Sequence, residues 1–164
     1  MNPFIFPVLA IISLIAYLFA TKENLTVWDT RSTNEIKHLH PAIRNKVAKL
    51  INYAENQGVK LRILEGIRTQ ETQNHYFYVK KTTQTLNSFH LYGLAVDLYD
   101  VTNQQYGAPI EIVKYAEKLG FEWGGGWTGF VDKPHFQFTA GYKTSELLNK
   151  INSNQIDFNG FVKL

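Results

Sequence analysis

The chain has 164 residues, no cysteine, and a net charge of +3 from 17 Lys+Arg against 14 Asp+Glu. That length suits one domain with a sizeable core, and the missing thiols exclude disulfides and thiolate metal sites. The weak positive charge, without Lys/Arg clusters, argues against a nucleic-acid binder; it would favour an anionic surface such as a cell wall, but taken alone it is the charge of an ordinary slightly basic domain.

The opening stretch, "MNPFIFPVLAIISLIAYLFA", carries no charged side chain. Pro3 to Ala20 is about as long as the shortest bilayer-spanning helices and lacks the polar face of a core helix. Residues 1–21 are therefore expected to form a hydrophobic helix acting as a transmembrane signal anchor. A cleaved signal peptide is the alternative, but Leu18 fits the cleavage rule poorly and no Lys or Arg precedes the apolar run. Lys22 and Glu23 cancel, so charge leaves the orientation open. Residues 22–32 read as a polar connector.

Pro41 then starts a helix, "PAIRNKVAKLINYAENQG", with Ile43, Val47, Leu50, Ile51 and Ala54 at the helical period and Gly58 at its end. The alternation in "VKLRILEGI" predicts a strand over 59–67. "RTQETQNHYFYVKK" predicts a helix started by Thr69. "GLAVDLYD" is the next strand, and "APIEIVKYAEKLG" a helix capped by Gly120. A glycine-rich loop, "FEWGGGWTGF", a short strand, "HFQFT", and an amphipathic helix, "TSELLNKINSNQ", complete the chain before a tail of no evident structure. Few short strands among helices predict an α+β domain: a small antiparallel sheet with packed helices.

The stretch "SFHLYGLAVDLYD" poses a chemical problem. Asp97 lies inside an apolar run, and burying an unpaired carboxylate is costly. One solution is a salt bridge to Arg68. Another is a metal: without cysteine, a transition-metal site must use His and carboxylates, and two His plus one carboxylate with an open position is a common catalytic zinc set. A turn at Gly93 could bring His90 and Asp97 together, and His135 could join them from an adjacent strand. Asp132, three residues before His135, would then stand near the metal as a general base, or be a plain turn residue in Asp-Lys-Pro. Glu122 is a rival base. His38 and His40 flank Leu39 ahead of a helix, where a metal role is not expected. His75, on the predicted helix, reads as structural or as part of a cleft rim. Asp100 reads as a strand-end residue.

These residues resemble a known family. "SFHLYGLAVDL" matches the S-x-H-x-x-G-x-A-x-D signature of zinc peptidases acting on peptidoglycan stem peptides, the VanY-like D-Ala-D-Ala carboxypeptidases and L-alanyl-D-glutamate endopeptidases, phage endolysins among them. "LGFEWGGGWTGFVDKPHFQFT" looks like the L-alanyl-D-glutamate group, and "LEGIRTQETQ" is similar to the family's G-x-R-(S/T)-x-x-x-Q segment. The resemblance runs from about residue 33 to residue 140.

The resemblance implies a hedgehog/D-Ala-D-Ala-peptidase-like fold and one Zn2+ held by His90, Asp97 and His135. It makes Asp132 the catalytic acid/base and gives Arg68 the substrate carbonyl or its oxyanion. Ser88, Gln73 and Trp127 would line the substrate site. The peptidase domain would occupy 33–142, with a C-terminal helix and tail over 143–164. The implied function is zinc-dependent hydrolysis of the L-Ala–D-Glu bond of stem peptides, with D-Ala-D-Ala carboxypeptidase as the alternative. A non-catalytic zinc-binding wall-binding domain is the reading from another class. Expected partners are peptidoglycan and, through the N-terminal helix, a membrane, with no nucleic acid. The chain is expected to be a monomer, with its catalytic domain outside the cytoplasm. Two departures stand out: Gly126 replaces the Asp usual in this loop, and the segment from Tyr78 to Ser88 is shorter than usual.

Overall fold

The computed structural model describes residues 25–164. The N-terminal helix and signal anchor expected over 1–21 lie outside the described residues, and no helix within them is long and apolar enough to cross a membrane.

Two helices lead, α1 (Thr30–His38) and α2 (Pro41–Asn56). The α1 helix was not foreseen. It starts because the Asp29 carboxylate accepts from the Ser32 backbone N–H, an N-cap inside what reads as a connector. α2 follows its predicted stripe: Ile43, Val47, Leu50, Ile51 and Ala54 are all buried. Strand β1 (Leu61–Glu65) leads to α3 (Gln70–His75), capped by Thr69 as its sequence predicts. The remainder of that predicted helix, Tyr76–Lys80, widens into one π-helical segment that ends at Lys81 in the left-handed region.

Strands β2 (Ala95–Asp100) and β3 (Gln105–Tyr106) follow, then α4 (Ile110–Lys118), β4 (Glu122–Trp123), β5 (His135–Gln137) and α5 (Thr144–Asn152). The antiparallel sheet runs β1-β2-β5-β4, with β3 also paired to β2. This is the expected α+β architecture. β3 and β4 are two-residue strands, too short to leave a period in the sequence.

The core is built from α1, α2, α4 and one face of the sheet, with Ile36, Leu39, Leu50, Leu61, Ile63, Leu98, Ile112 and Phe136 almost fully enclosed. It reaches past 33–142 in both directions. Val27 and Ser32 are buried on one side, Leu147 and Val162 on the other. The tail has its own bridge between Ile156 and Val162. The Val162 carbonyl accepts from His40 Nε2 at 2.8 Å, while His40 Nδ1 caps α2 by accepting from Ala42. His40 is thus structural.

Asp100 is more than a strand end. Its buried carboxylate accepts from the backbone and side chain of Asn103 and closes the turn after β2.

Candidate metal centre and cleft

The site is a product of strand register. On β2, Asp97 lies opposite His135 of β5 on one side and Glu65 of β1 on the other. Directly opposed residues share a sheet face. The second pairing needs an irregularity: Ile63 opposes Leu98, yet Glu65 opposes Asp97, so an extra residue in β1 shifts the register. Such a bulge re-aims the side chains beyond it. Here it brings Glu65 to the same face as Asp97.

His90 arrives from outside the sheet. It sits in a 3-10 turn, Phe89–Tyr92, whose start is capped by Ser88 Oγ and whose end is Gly93 at φ 65°. A β-carbon at Gly93 would stand 2.9 Å from the His40 backbone nitrogen. The turn expected at this glycine is therefore present, and close packing as well as conformation requires it. The loop after β1 clamps His90 twice. The imidazole Nδ1–H donates to the Gly66 carbonyl at 2.6 Å, and the Arg68 N–H donates to the His90 carbonyl at 3.0 Å.

The two histidines and Asp97 meet at one point. His90 Nε2 is 3.3 Å from Asp97 Oδ1, His135 Nδ1 is 3.2 Å from the same oxygen, and the two nitrogens are 3.2 Å apart. Each imidazole spends its other nitrogen as a donor, His90 to Gly66 and His135 Nε2–H to Gln137 Oε1 at 3.0 Å. Three electron-pair donors therefore converge, and positive charge must lie among them. Without a metal that charge is a proton. Burial lowers the pKa of His135, but its hydrogen bond to Asp97 and the charge of Asp97 outweigh this and raise it. For Asp97 burial acts in the raising direction, and the bonds from His135 and His90 win, holding the carboxyl well below the usual range.

The same triangle fits a metal. Zinc–ligand bonds of about 2.0–2.2 Å at tetrahedral angles separate ligand atoms by roughly 3.3 Å, the spacing seen here. The donor set is that of a catalytic zinc centre, and each imidazole already has the outer hydrogen bond that fixes a metal-binding tautomer. Among the described residues these three side chains are the group able to hold a metal ion.

Arg68 and Asp97 do form the ion pair considered from sequence, at 3.6 Å between Nη2 and Oδ2. It coexists with the histidine contacts on Oδ1. The guanidinium is otherwise committed: Nε donates to Glu65 at 2.7 Å, Nη2 donates to the second Glu65 oxygen, and Nη1 donates to Gln73 at 2.7 Å. It also lies 4.8 Å over the Tyr76 ring. Gln73 is fully buried and ties this arginine to the following loop through the Thr85 carbonyl at 2.6 Å. Glu65 carried no signal in the sequence beyond its place in a strand, because its role depends on the bulge.

Asp132 lines the same cleft, half-buried, three residues before His135. Burial and then the charge of Asp97 push its carboxyl above the usual range, against the offsetting charges of His135, His90 and Arg68. The glycine-rich loop holds it there. Gly124 O accepts from the Asp132 N–H at 3.0 Å, and Asp132 O accepts from the His135 N–H at 3.2 Å. A β-carbon on Gly124 would come within 2.6 Å of the Asp132 carbonyl oxygen and 3.2 Å of the His135 β-carbon. Trp127 extends the wall, its ring 5.3 Å from that of His135. Gly126 is exposed, and a β-carbon there would meet only the Trp123 ring, at 4.0 Å.

Arg68, Ser88, Asp97, Trp127, Asp132 and His135 are among the residues lining an open cleft of about 560 Å³, with Thr82, Thr83, Gln84, Thr85 and Asn87 also on its wall. Gln73, expected to line it, does not: it is fully buried behind Arg68 and acts by holding the guanidinium. His38 and His75 lie exposed, and neither lines this cleft.

The profile of a family described as D-alanyl-D-alanine carboxypeptidase matches residues 81–138, a span holding His90, Asp97, Asp132 and His135. The "Peptidoglycan L-alanyl-D-glutamate endopeptidase CwlK" of Bacillus subtilis (strain 168) is 31% identical over 121 residues, which is 60% of this chain and 72% of that protein. The chain belongs to the M15 peptidase family. A second relative, the "L-alanyl-D-glutamate peptidase" of Listeria phage A118, is 37% identical over 123 residues, 70% of this chain. The match spans only 43% of that longer phage protein. The crystal structure of the Serratia marcescens L-Ala D-Glu endopeptidase ChiX superposes with a TM-score of 0.55 at 25% identity, covering 73% of this chain and 94% of that one. M15 membership carries the fold and the metal-binding signature to this chain, and the ring of donors around Asp97 is where its sequence and structure coincide.

Proposed function

We propose that the protein is a zinc-dependent peptidoglycan peptidase that hydrolyses the L-Ala–D-Glu bond of stem peptides. One observation carries the reading: His90, Asp97 and His135 converge at hydrogen-bond spacing on the floor of an open cleft, with the Asp132 carboxyl lining the same cleft. His90 Nε2, Asp97 Oδ1 and His135 Nδ1 would hold the metal. Bound there, zinc supplies Lewis acidity towards the scissile carbonyl and lowers the pKa of water.

The chain's own residues supply the rest. Asp132 accepts the proton of the attacking water and returns it to the leaving amine, and its raised pKa moves towards the range such a shuttle requires. Arg68 sits beside Asp97 at the cleft wall, where its charge favours a developing oxyanion. Glu65 and Gln73 keep the guanidinium in place.

The committed state of Arg68 supports an endopeptidase over a carboxypeptidase. A carboxypeptidase must grip a terminal carboxylate. Arg68 is the one Lys or Arg lining the cleft among the described residues, and it already faces two carboxylates, Glu65 and Asp97. The phage A118, Bacillus and Serratia relatives, named as L-alanyl-D-glutamate peptidases, support the same bond. The apolar segment over 1–21 would hold the monomeric enzyme at a membrane, with the cleft turned to the wall.

Two synthetic stem pentapeptides ending in D-Ala-D-Ala test the choice, one with a free C-terminal carboxylate and one with a C-terminal amide. The reading predicts cleavage after L-Ala in both at similar rates. Release of D-Ala from the free acid, with no cleavage after L-Ala, overturns it.

A further inference from the structure

Glu122 has no part in the mechanism above, yet it is connected to the centre. Glu122 of β4 and Gln137 of β5 are register partners. His135 and Gln137 are two apart on β5 and share a face. The result is a line across the sheet: His135 Nε2–H donates to Gln137 Oε1 at 3.0 Å, and Gln137 Nε2 donates to Glu122 Oε2 at 3.0 Å.

We propose that Gln137 and Glu122 are positioning residues that fix which nitrogen His135 turns to the metal. The proposal rests on reading His90, Asp97 and His135 as metal ligands. A neutral imidazole binds metal only through its unprotonated nitrogen, and the partner of the other nitrogen decides which that is. Here the partner is an amide, which can present either end. With its carbonyl towards His135 it accepts from Nε2–H and leaves the Nδ1 lone pair aimed at Asp97 and His90. Turned over, its NH2 would donate to Nε2 and place the proton on Nδ1, where the metal belongs. Glu122 removes the choice. A carboxylate only accepts, so it bonds the NH2 end of Gln137 and leaves the carbonyl for His135. The amide is also uncharged, so it orients the ring without making it as basic as a directly bonded carboxylate would.

The test uses the full chain and two readouts that do not depend on which bond is cut. One is zinc affinity, measured by competition with a chromogenic chelator. The other is which nitrogen of His135 carries the proton in the zinc-loaded protein, read from imidazole 15N shifts. Gln137→Ala should weaken zinc roughly 10- to 100-fold, the usual effect of losing an outer hydrogen bond to a ligand. Glu122→Ala should weaken it less, with His135 shifting from a single Nε2–H form to a mixture. Glu122→Gln should leave much of both defects in place, since an amide at 122 donates as well as accepts and no longer dictates which end of Gln137 faces His135. Metal-free melting temperatures should stay close to wild type.

Wild-type zinc affinity and an unchanged tautomer in Gln137→Ala and Glu122→Ala overturn the relay. Wild-type affinity and a single His135 tautomer in Glu122→Gln also overturn it, because the accept-only carboxylate would then not be the cause. A wild-type protein that binds no zinc overturns the ligand assignment, and the relay with it.

Discussion

Asp97 and His135 stand opposite each other on neighbouring antiparallel strands, so backbone register alone fixes the spacing of two of the three metal donors. The third, His90, is held by a separate device, a 3-10 turn clamped to the loop after β1. The donors are thus set by rigid main chain before any metal binds, and the following outcomes are expected.

Substituting a ligand should abolish zinc binding and leave the fold. Asp97→Asn keeps the shape of the side chain but replaces one acceptor oxygen by an NH2 donor and removes the charge the triangle shares. Its zinc affinity should fall by more than the roughly 100-fold upper range seen for outer-shell changes. Circular dichroism should remain that of the wild type. Calorimetric titration with zinc checks the first point and thermal melting the second.

Asp132→Asn should separate binding from chemistry. The carboxylate lines the cleft without belonging to the donor triangle. Turnover should drop by roughly 100-fold or more, the usual size of a general-base effect, while zinc stoichiometry stays at one. Loss of zinc together with activity would show that Asp132 belongs to the metal shell.

Two glycines only two residues apart, Gly124 and Gly126, should behave oppositely. Gly124→Ala forces a β-carbon to within 2.6 Å of the Asp132 carbonyl, so the Asp132–His135 segment must shift. Activity and melting temperature should both fall. Gly126→Ala meets only one atom, at 4.0 Å, and should change stability by less than about 0.5 kcal/mol. Gly126→Asp, which restores the residue usual in this loop, should be equally tolerated. Parallel melting curves and turnover measurements decide both.

His40 should make stability depend on pH. Burial lowers its pKa below the ordinary 6.5, against the hydrogen bond to Val162 and the charge of Asp157, with Arg44 acting in the same direction as burial. The folded state therefore holds neutral His40, and the unfolded chain binds the proton more readily. Stability from this group is fully present above pH 6.5 and is lost as pH falls through the depressed folded value. Asn is a good N-cap and does not titrate. Urea midpoints taken from about pH 7.5 to about pH 5, either side of the ordinary histidine value, should fall more steeply for wild type than for His40→Asn. Equal slopes would remove His40 as the cause.

Much of the site could be read from the sequence because its residues lie in short contiguous motifs. His90 and Asp97 occur in one stretch, Asp132 and His135 in another, and periodicity with the Pro, Thr and Gly boundary signals gave the α+β class and most of its longer elements. Other features depend on pairing that no local pattern records. The bulge that aligns Glu65 with Asp97 is a relation between two strands, and so is the line from Glu122 through Gln137 to His135. Glu122 read as a rival base to Asp132 because it is a carboxylate in the same stretch of sequence, although it lies further from His135. The α1 helix was hidden because its cap, Asp29, sits in a stretch whose composition looks like a linker. The glycine-rich loop was legible only as a loop, yet Gly124 is where the main chain of Asp132 and the side chain of His135 need room.

The most direct test is digestion of purified peptidoglycan by the zinc-loaded full chain, with and without a chelator, followed by mass spectrometry of the products. The account predicts stem-peptide fragments with new D-Glu N-termini that vanish when the metal is removed. An intact L-Ala–D-Glu bond in the presence of zinc would contradict it.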